Sequence, residues 1–220
     1  LDKKSSAQDV LVLQNALEYI SKNDFGTINI AHCGTAMRFL TALISIQENK
    51  EFIITGSERM QERPISILVD ALRTLGTTIE YCKKEGFPPL HIKGKKITQN
   101  LVEIEGSVSS QYISALMMTA PLLPDGLVIH LKGKIGSRPY IEMTAALIKE
   151  FGILCEFNGN SIHVHHSEYK PASITIEADW SAASYWFAFV ALAETGDVTL
   201  PHVSEQSLQG GPTTTNKSSR

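Results

Sequence analysis

The sequence predicts an α/β fold of repeated β-α-β-α-β-β units, on three observations. Arg63-Pro64 and Arg138-Pro139 stand 75 residues apart, and each opens a segment of helical apolar spacing. Gly76-Thr77-Thr78-Ile79-Glu80-Tyr81 and Gly152-Ile153-Leu154-Cys155-Glu156-Phe157 follow them at an offset of 76. Ile104-Glu105-Gly106-Ser107-Val108-Ser109-Ser110 parallels Ile176-Glu177-Ala178-Asp179-Trp180-Ser181-Ala182 at an offset of 72. Markers recurring at nearly one period indicate a duplicated supersecondary unit, and strands alternating with helices make it α/β.

The elements follow in chain order. Residues 1–24 carry Val10, Leu13, Leu17 and Ile20 on one helical face and read as the closing helix of a preceding unit. A short strand (27–30, 101–104 and 174–177) then enters a small-residue turn and an apolar helix (36–46, 112–120 and 182–193). A second strand follows at 51–55 and 127–131. The next helix is expected to start at Pro, whose fixed φ and missing N–H suit the first helical position. Ile65, Leu68, Val69 and Leu72 share one helix face, and Ile141, Thr144, Ala145 and Ile148 repeat that spacing. A hairpin closes each unit. The first runs 78–82, turn Glu85-Gly86-Phe87-Pro88-Pro89, then 90–93. The second runs 154–157, turn Asn158-Gly159-Asn160, then 161–165, where Asn-Gly is a tight-turn signal.

Length and composition narrow the class. The chain has 220 residues, 43% hydrophobic and 20% charged, the balance of a globular protein rather than a disordered or fibrous one. Lys+Arg 20 against Asp+Glu 23 leaves a net charge of −3, which argues against a basic nucleic-acid footprint. The longest uncharged apolar run, residues 182–193, is far short of the roughly 20 residues that a bilayer span needs. Residues 1–6 lack the apolar stretch of a secretory signal. Cys33, Cys82 and Cys155 are widely spaced and odd in number, so a reducing, cytoplasmic setting is expected rather than a disulfide framework.

Chemistry is expected where strands and loops run into helices. Gly106-Ser107-Val108-Ser109-Ser110-Gln111 leads straight into a helix, whose first N–H groups are unsatisfied and attract anions. Ser109 or Ser110 as a plain helix cap is the simpler reading, but two hydroxyls beside the Gln111 amide add donors for an oxyanion. His32-Cys33-Gly34-Thr35-Ala36-Met37-Arg38 has the same layout, with Gly34 permitting close approach, Thr35 able to cap or hold an anion, and Arg38 one turn in. Arg59 and Arg63 precede the next helix; they suit a bidentate grip on phosphate or carboxylate, or else simple pairing with Glu58 and Glu62. Ser137-Arg138-Pro139-Tyr140 repeats that junction in the second unit. The convergence predicts an anionic, phosphorylated substrate.

Other candidates carry less. His163 and His165 share a strand face, with no carboxylate or cysteine beside them at ligand spacing in the sequence, so a solvated hairpin is expected. Cys33 has no histidine partner placed by sequence and reads as a small packed residue. Asp179 reads as an N-cap. There is no Walker loop, G-x-G-x-x-G or G-x-S-x-G motif, hence no support for nucleotide binding or serine hydrolysis.

Taken together, Cys33-Gly34-Thr35-Ala36-Met37-Arg38, Arg59-Met60-Gln61-Glu62-Arg63-Pro64-Ile65, the Gly106–Gln111 turn, Ser137-Arg138-Pro139-Tyr140 and Ala182-Ala183-Ser184-Tyr185 resemble the 5-enolpyruvylshikimate-3-phosphate synthases (3-phosphoshikimate 1-carboxyvinyltransferases). The order and approximate spacing match over about residues 1–210. The resemblance implies an inside-out fold of βαβαββ units, incomplete in this chain. It also implies enolpyruvyl transfer from phosphoenolpyruvate to the 5-hydroxyl of shikimate 3-phosphate, in the shikimate pathway, with release of phosphate. No metal or organic cofactor, nucleic acid or membrane is implied, and the full-length enzyme is expected to be monomeric and cytoplasmic. Residue by residue, it assigns shikimate 3-phosphate to Ser109, Ser110, Gln111, Ser137 and Tyr140. Phosphoenolpyruvate falls to Gly34, Arg59 and Gln111, with Thr35, Arg38 and Arg63 in support. His32 stands where the family commonly has Asn or Asp.

The resemblance also implies what lies elsewhere. A Lys-Ser segment and an Arg are expected before Leu1, and a second half bearing the proton-moving Asp and Glu after residue 210. No catalytic acid or base is expected within this chain. It is therefore expected to be a fragment: a substrate-binding domain at 1–170, the first strand–helix of another at 171–209, and a polar tail at 210–220. Such a fragment is expected to be inactive alone. The rival readings are the enolpyruvyl transferase acting on UDP-N-acetylglucosamine, and a non-catalytic anion-binding module on the same scaffold. The Ser-Ser-Gln trio and the lack of a loop cysteine favour shikimate 3-phosphate over the nucleotide sugar.

Overall fold

The computed structural model describes residues 5–201, 203–204 and 207–209. The expected tail at 210–220 lies outside the described residues. Helix α1 (Gln8–Lys22) leads into the first unit: β1 (Phe25–Asn29), α2 (Gly34–Ser45), β2 (Glu51–Thr55), α3 (Glu58–Gln61), α4 (Ser66–Thr74), β3 (Thr78–Tyr81) and β4 (Leu90–Lys93). The second unit repeats it: β5 (Leu101–Glu105), α5 (Ser110–Thr119) with a terminal 3₁₀ turn, β6 (Leu127–Lys132), α6 (Arg138–Glu150), β7 (Cys155–Asn158) and β8 (Ser161–Val164). Helix α7 (Trp180–Leu192) follows.

The duplication is visible in the sheets. Their strand orders are β1-β2-β4-β3 and β5-β6-β8-β7, one pattern used twice. In each, the first two strands are parallel and the closing hairpin is antiparallel to the second. The registers correspond, with Ile53 opposite His91 in one sheet and Val128 opposite His163 in the other. One face of each sheet is buried by period-2 alternation: Phe52 and Ile54, Leu90 and Ile92, then Leu127, Ile129, Ile162 and Val164. Helices cover that face. Helix α2 packs on α5, and α5 on α6, so a single core joins the units from Ala16 to Val164. In the second hairpin Gly159 takes φ 59°, a left-handed value that glycine adopts without steric cost and a two-residue turn requires.

Two expectations change. The helix expected from Pro64 begins at Ser66, because Ile65 holds a non-helical φ of −139°. One turn of helix, α3, precedes it, with the Ser57 hydroxyl accepting from the Met60 N–H at 3.3 Å. The strand expected at 174–177 has no ladder among the described residues, and Ile176 is 80% exposed. A strand needs a neighbour, and here the Glu177 carboxylate instead accepts from the Ser207 hydroxyl (2.6 Å) and the Leu208 N–H (3.1 Å). Helix α7 lies outside the core, with Tyr185, Trp186, Phe187 and Phe189 exposed. Among the described residues, no helix is long and apolar enough to cross a membrane.

The three cysteines are free and differ in environment. Cys33 is buried, and burial raises its thiol pKa. Cys82 is exposed and also raised, while burial pushes Cys155 up to about 11. With that value, about a thousandth of Cys155 is thiolate at about pH 8. Iodoacetamide is expected to label Cys82 first, Cys155 slowly and Cys33 only in denaturant, as followed by peptide mass spectrometry. Equal native labelling of Cys33 and Cys82 would contradict this packing.

Candidate active site

Every junction singled out in the sequence sits beyond the carboxyl end of a parallel strand. Gly34, Thr35 and Arg38 follow β1, and Arg59 and Arg63 follow β2. Ser109 to Gln111 follow β5, and Ser137 and Tyr140 follow β6. Open α/β sheets place ligands at such ends, because helix N-termini gather there.

The first elbow is strained and tightly held. Ala31 takes φ 50°, a left-handed value costing a non-glycine residue about 1–2 kcal/mol. The Asn29 side chain accepts from its N–H at 2.9 Å, and its carbonyl accepts from the Ser57 N–H at 2.9 Å. Beyond it the Cys33 sulfur caps α2 by accepting from the Ala36 N–H. Gly34 opens the helix between two guanidinium groups. A Cβ there would lie 2.6 Å from Arg63 Nη1 and 2.7 Å from Arg38 Nη1. Arg38 donates to the Gly34 carbonyl at 2.8 Å and stacks over the Tyr112 ring, 5.4 Å from its centroid.

Arg59 and Arg63 line, with His32 and Met60, a cavity of about 420 Å³. His32 Nδ1 shares a 2.8 Å hydrogen bond with the Ser57 hydroxyl. Among the described residues, none of Arg38, Arg59 and Arg63 pairs with a carboxylate. The pairing of Arg59 and Arg63 with Glu58 and Glu62, open from the sequence, is therefore absent there. Arg138 behaves in the opposite way, bound to Glu142 at 2.8 Å on the surface. Guanidinium groups gathered without a carboxylate partner among the described residues have the chemistry that suits phosphate or carboxylate.

The second unit meets the first at this point. The Gln111 amide donates to the Thr35 hydroxyl at 3.1 Å, and the Tyr112 hydroxyl donates to the Pro64 carbonyl at 2.8 Å. Ser109 and Ser137 occupy the N-cap positions of α5 and α6, yet neither side chain caps its helix. Their loops lie side by side, joined by the Gly136 N–H donating to the Gly106 carbonyl at 2.9 Å. Ser110 is half-buried and Tyr140 exposed, while the Tyr140 carbonyl accepts from Thr144, itself bonded to Ser114 across α5 and α6. Gly34, Arg38 and Arg63 are thus in contact, as are Thr35 and Gln111. Tyr140 stands on the neighbouring helix start, with only its backbone tied to this network.

Sequence reasoning missed the Ser57–His32 bond and the role of Tyr112. Both arise from residues far apart in the chain. It read Asp179 correctly, since its carboxylate caps α7 from the Ser181 N–H at 2.8 Å. It did not anticipate a carboxylate beside His163 and His165, because Glu156 reaches them only across the hairpin.

A family model for EPSP synthase (3-phosphoshikimate 1-carboxyvinyltransferase) matches residues 3–217. The chain belongs to the EPSP synthase family. Among curated relatives, 3-phosphoshikimate 1-carboxyvinyltransferases from two strains of Bacteroides fragilis are similar. One is 49% identical over 184 residues, 83% of this chain and 45% of its own length. The other is 46% identical over 211 residues, 96% and 50%. The chain spans about half the length of the curated relatives it matches. A solved EPSP synthase from Acinetobacter baumannii superposes with a TM-score of 0.67 at 22% identity, over 81% of this chain and 39% of that one. That likeness supports the EPSP synthase fold for the two sheets described above.

Proposed function

We propose that this chain supplies the shikimate 3-phosphate-binding part of an enolpyruvyl transferase acting in a reducing cytoplasm, where its three free cysteines fit. One observation carries the reading: Arg38, Arg59 and Arg63 gather at the start of α2 without a carboxylate partner among the described residues. Ser109, Ser110 and Ser137 grip the phosphorylated shikimate with hydroxyls and helix-start N–H groups, and Tyr140 lies beside its ring. Gln111, tied to Thr35, stands between the two ligands. Gly34 and Arg59 take phosphoenolpyruvate, with Arg38 and Arg63 adding positive charge.

The reaction needs such charge. When the 5-hydroxyl of shikimate 3-phosphate adds to phosphoenolpyruvate, the tetrahedral intermediate carries two phosphates and a carboxylate before phosphate leaves. Fixed guanidinium groups stabilise that polyanion without reorganising. Residues 1–170 form the substrate-binding domain, supported by a core that closes at Val164, and 171–209 start another. The proton-moving acid and base belong to the rest of the family's length, so the 220-residue chain binds but does not turn over.

Titration of the chain with shikimate 3-phosphate, followed by amide NMR, is expected to shift Ser109, Ser110 and Gln111 and to release no phosphate when phosphoenolpyruvate is added. Shifts with UDP-N-acetylglucosamine alone would favour the nucleotide-sugar enzyme. Silence with both would favour a non-catalytic module, and phosphate release would overturn the assignment of acid and base elsewhere.

A further inference from the structure

We propose that Glu156, His163 and His165, on the outer face of the second hairpin, form a binding site for a first-row divalent metal ion of the zinc type. The three come together through sheet geometry. Strands β7 and β8 are antiparallel, and their register sets Glu156 directly opposite His163. His165 lies two residues on and points to the same side, while Ile162 and Val164, the residues before and after His163, are buried in the core. The imidazole rings are 3.9 Å apart between centroids. Glu156 Oε2 lies 2.7 Å from His165 Nε2. One ligand atom from each of the three side chains lies within 4.8 Å of the others.

Those separations suit coordination. Zinc bonds of about 2.0–2.2 Å in a tetrahedral arrangement put neighbouring ligand atoms about 3.4 Å apart. Small rotamer changes of surface side chains close the difference, and a metal ion takes the place of the Glu156–His165 hydrogen bond. Two imidazoles and one carboxylate favour zinc, nickel or copper over calcium or magnesium, which need a shell of oxygens. The set leaves at least one coordination position open, and Glu156 and His163 also line a depression of about 460 Å³ with Val128 and Phe157. The tight turn at Gly159 fixes the hairpin before any ion arrives, so little order is lost on binding.

The corresponding pair in the first sheet sharpens the assignment. Glu80 stands opposite His91 as Glu156 stands opposite His163. His91, however, has no second histidine two residues on, since Lys93 occupies that place and brings a positive charge. The second hairpin therefore has the donor set and the first does not.

The test is calorimetric titration of the full 220-residue chain with zinc chloride, alongside calcium and magnesium. One zinc ion is expected to bind, neither calcium nor magnesium should, and melting temperature should rise with zinc. His163→Ala and His165→Ala are each expected to weaken binding by at least about tenfold, since loss even of a group that only orients a ligand costs about that much. Glu156→Gln should weaken it less, and His91→Ala and Cys82→Ser should leave it unchanged. Zinc binding that survives the His163→Ala/His165→Ala double variant would overturn the proposal, as would no binding at all. Should a variant fail to fold, the unmodified chain still decides: zinc must move the His163 and His165 imidazole resonances in NMR and leave those of His91 in place.

Discussion

Arg63→Ala is expected to lower the affinity of the chain for shikimate 3-phosphate or phosphoenolpyruvate by about one to two orders of magnitude, the worth of a hydrogen bond to a charged group. It should do so without loss of stability. Arg63 and Arg38 bring their Nη1 atoms to the same place beside Gly34, and no carboxylate among the described residues offsets their repulsion. Removing one relieves like-charge repulsion in the folded state, so the urea midpoint should hold or rise. Arg63→Lys should recover only part of the affinity, since an ammonium cannot make the forked contact. Calorimetry and urea denaturation on the same samples separate the two effects. A fall in both affinity and stability would show that Arg63 holds up the fold rather than the ligand.

Phe52→Ala is expected to lower the free energy of unfolding by about 3–5 kcal/mol. Phe52 is fully buried on β2, with its ring edge-on to Tyr19 at 6.1 Å. Strand β2 lies between β1 and β4, so a cavity there is walled by regular structure that cannot collapse into it. Ile53→Ala, one residue along on the outward face, should cost no more than about 1 kcal/mol. A domain is stable by only about 5–15 kcal/mol, so the first variant loses a large share and the second very little. Equal urea midpoints would mean that the register drawn for β2 is wrong.

Much of this architecture was legible because local chemistry and global repeat agreed. The paired Arg-Pro sites, the apolar helix faces and the Asn-Gly turn each pointed to the same unit, and the two sheets have one topology. The missing pieces all needed information from outside their own stretch of chain. The strand at 174–177 had strand-like residues but no neighbour among the described residues to pair with. Helix α3 depends on one hydroxyl, Ser57, which a sequence of Glu and Arg conceals. At the site, residue types at the helix starts were readable. Their meeting was not, since Arg63 reaches Gly34 across a loop and Gln111 reaches Thr35 over 76 positions. Glu156 joined His163 for the same reason: cross-strand register is set by a turn, not by spacing.

The Thr35–Gln111 and Tyr112–Pro64 bonds also bear on time. They tie the start of α5 to the start of α2 and to the loop before α4, so under the proposed function an incoming phosphate would meet donors already in place rather than a surface that must close around it. Capture should then run at a rate set by encounter and by attraction to the arginines, falling as salt is raised. Ligands of different fit would arrive about equally fast and differ in how long they stay.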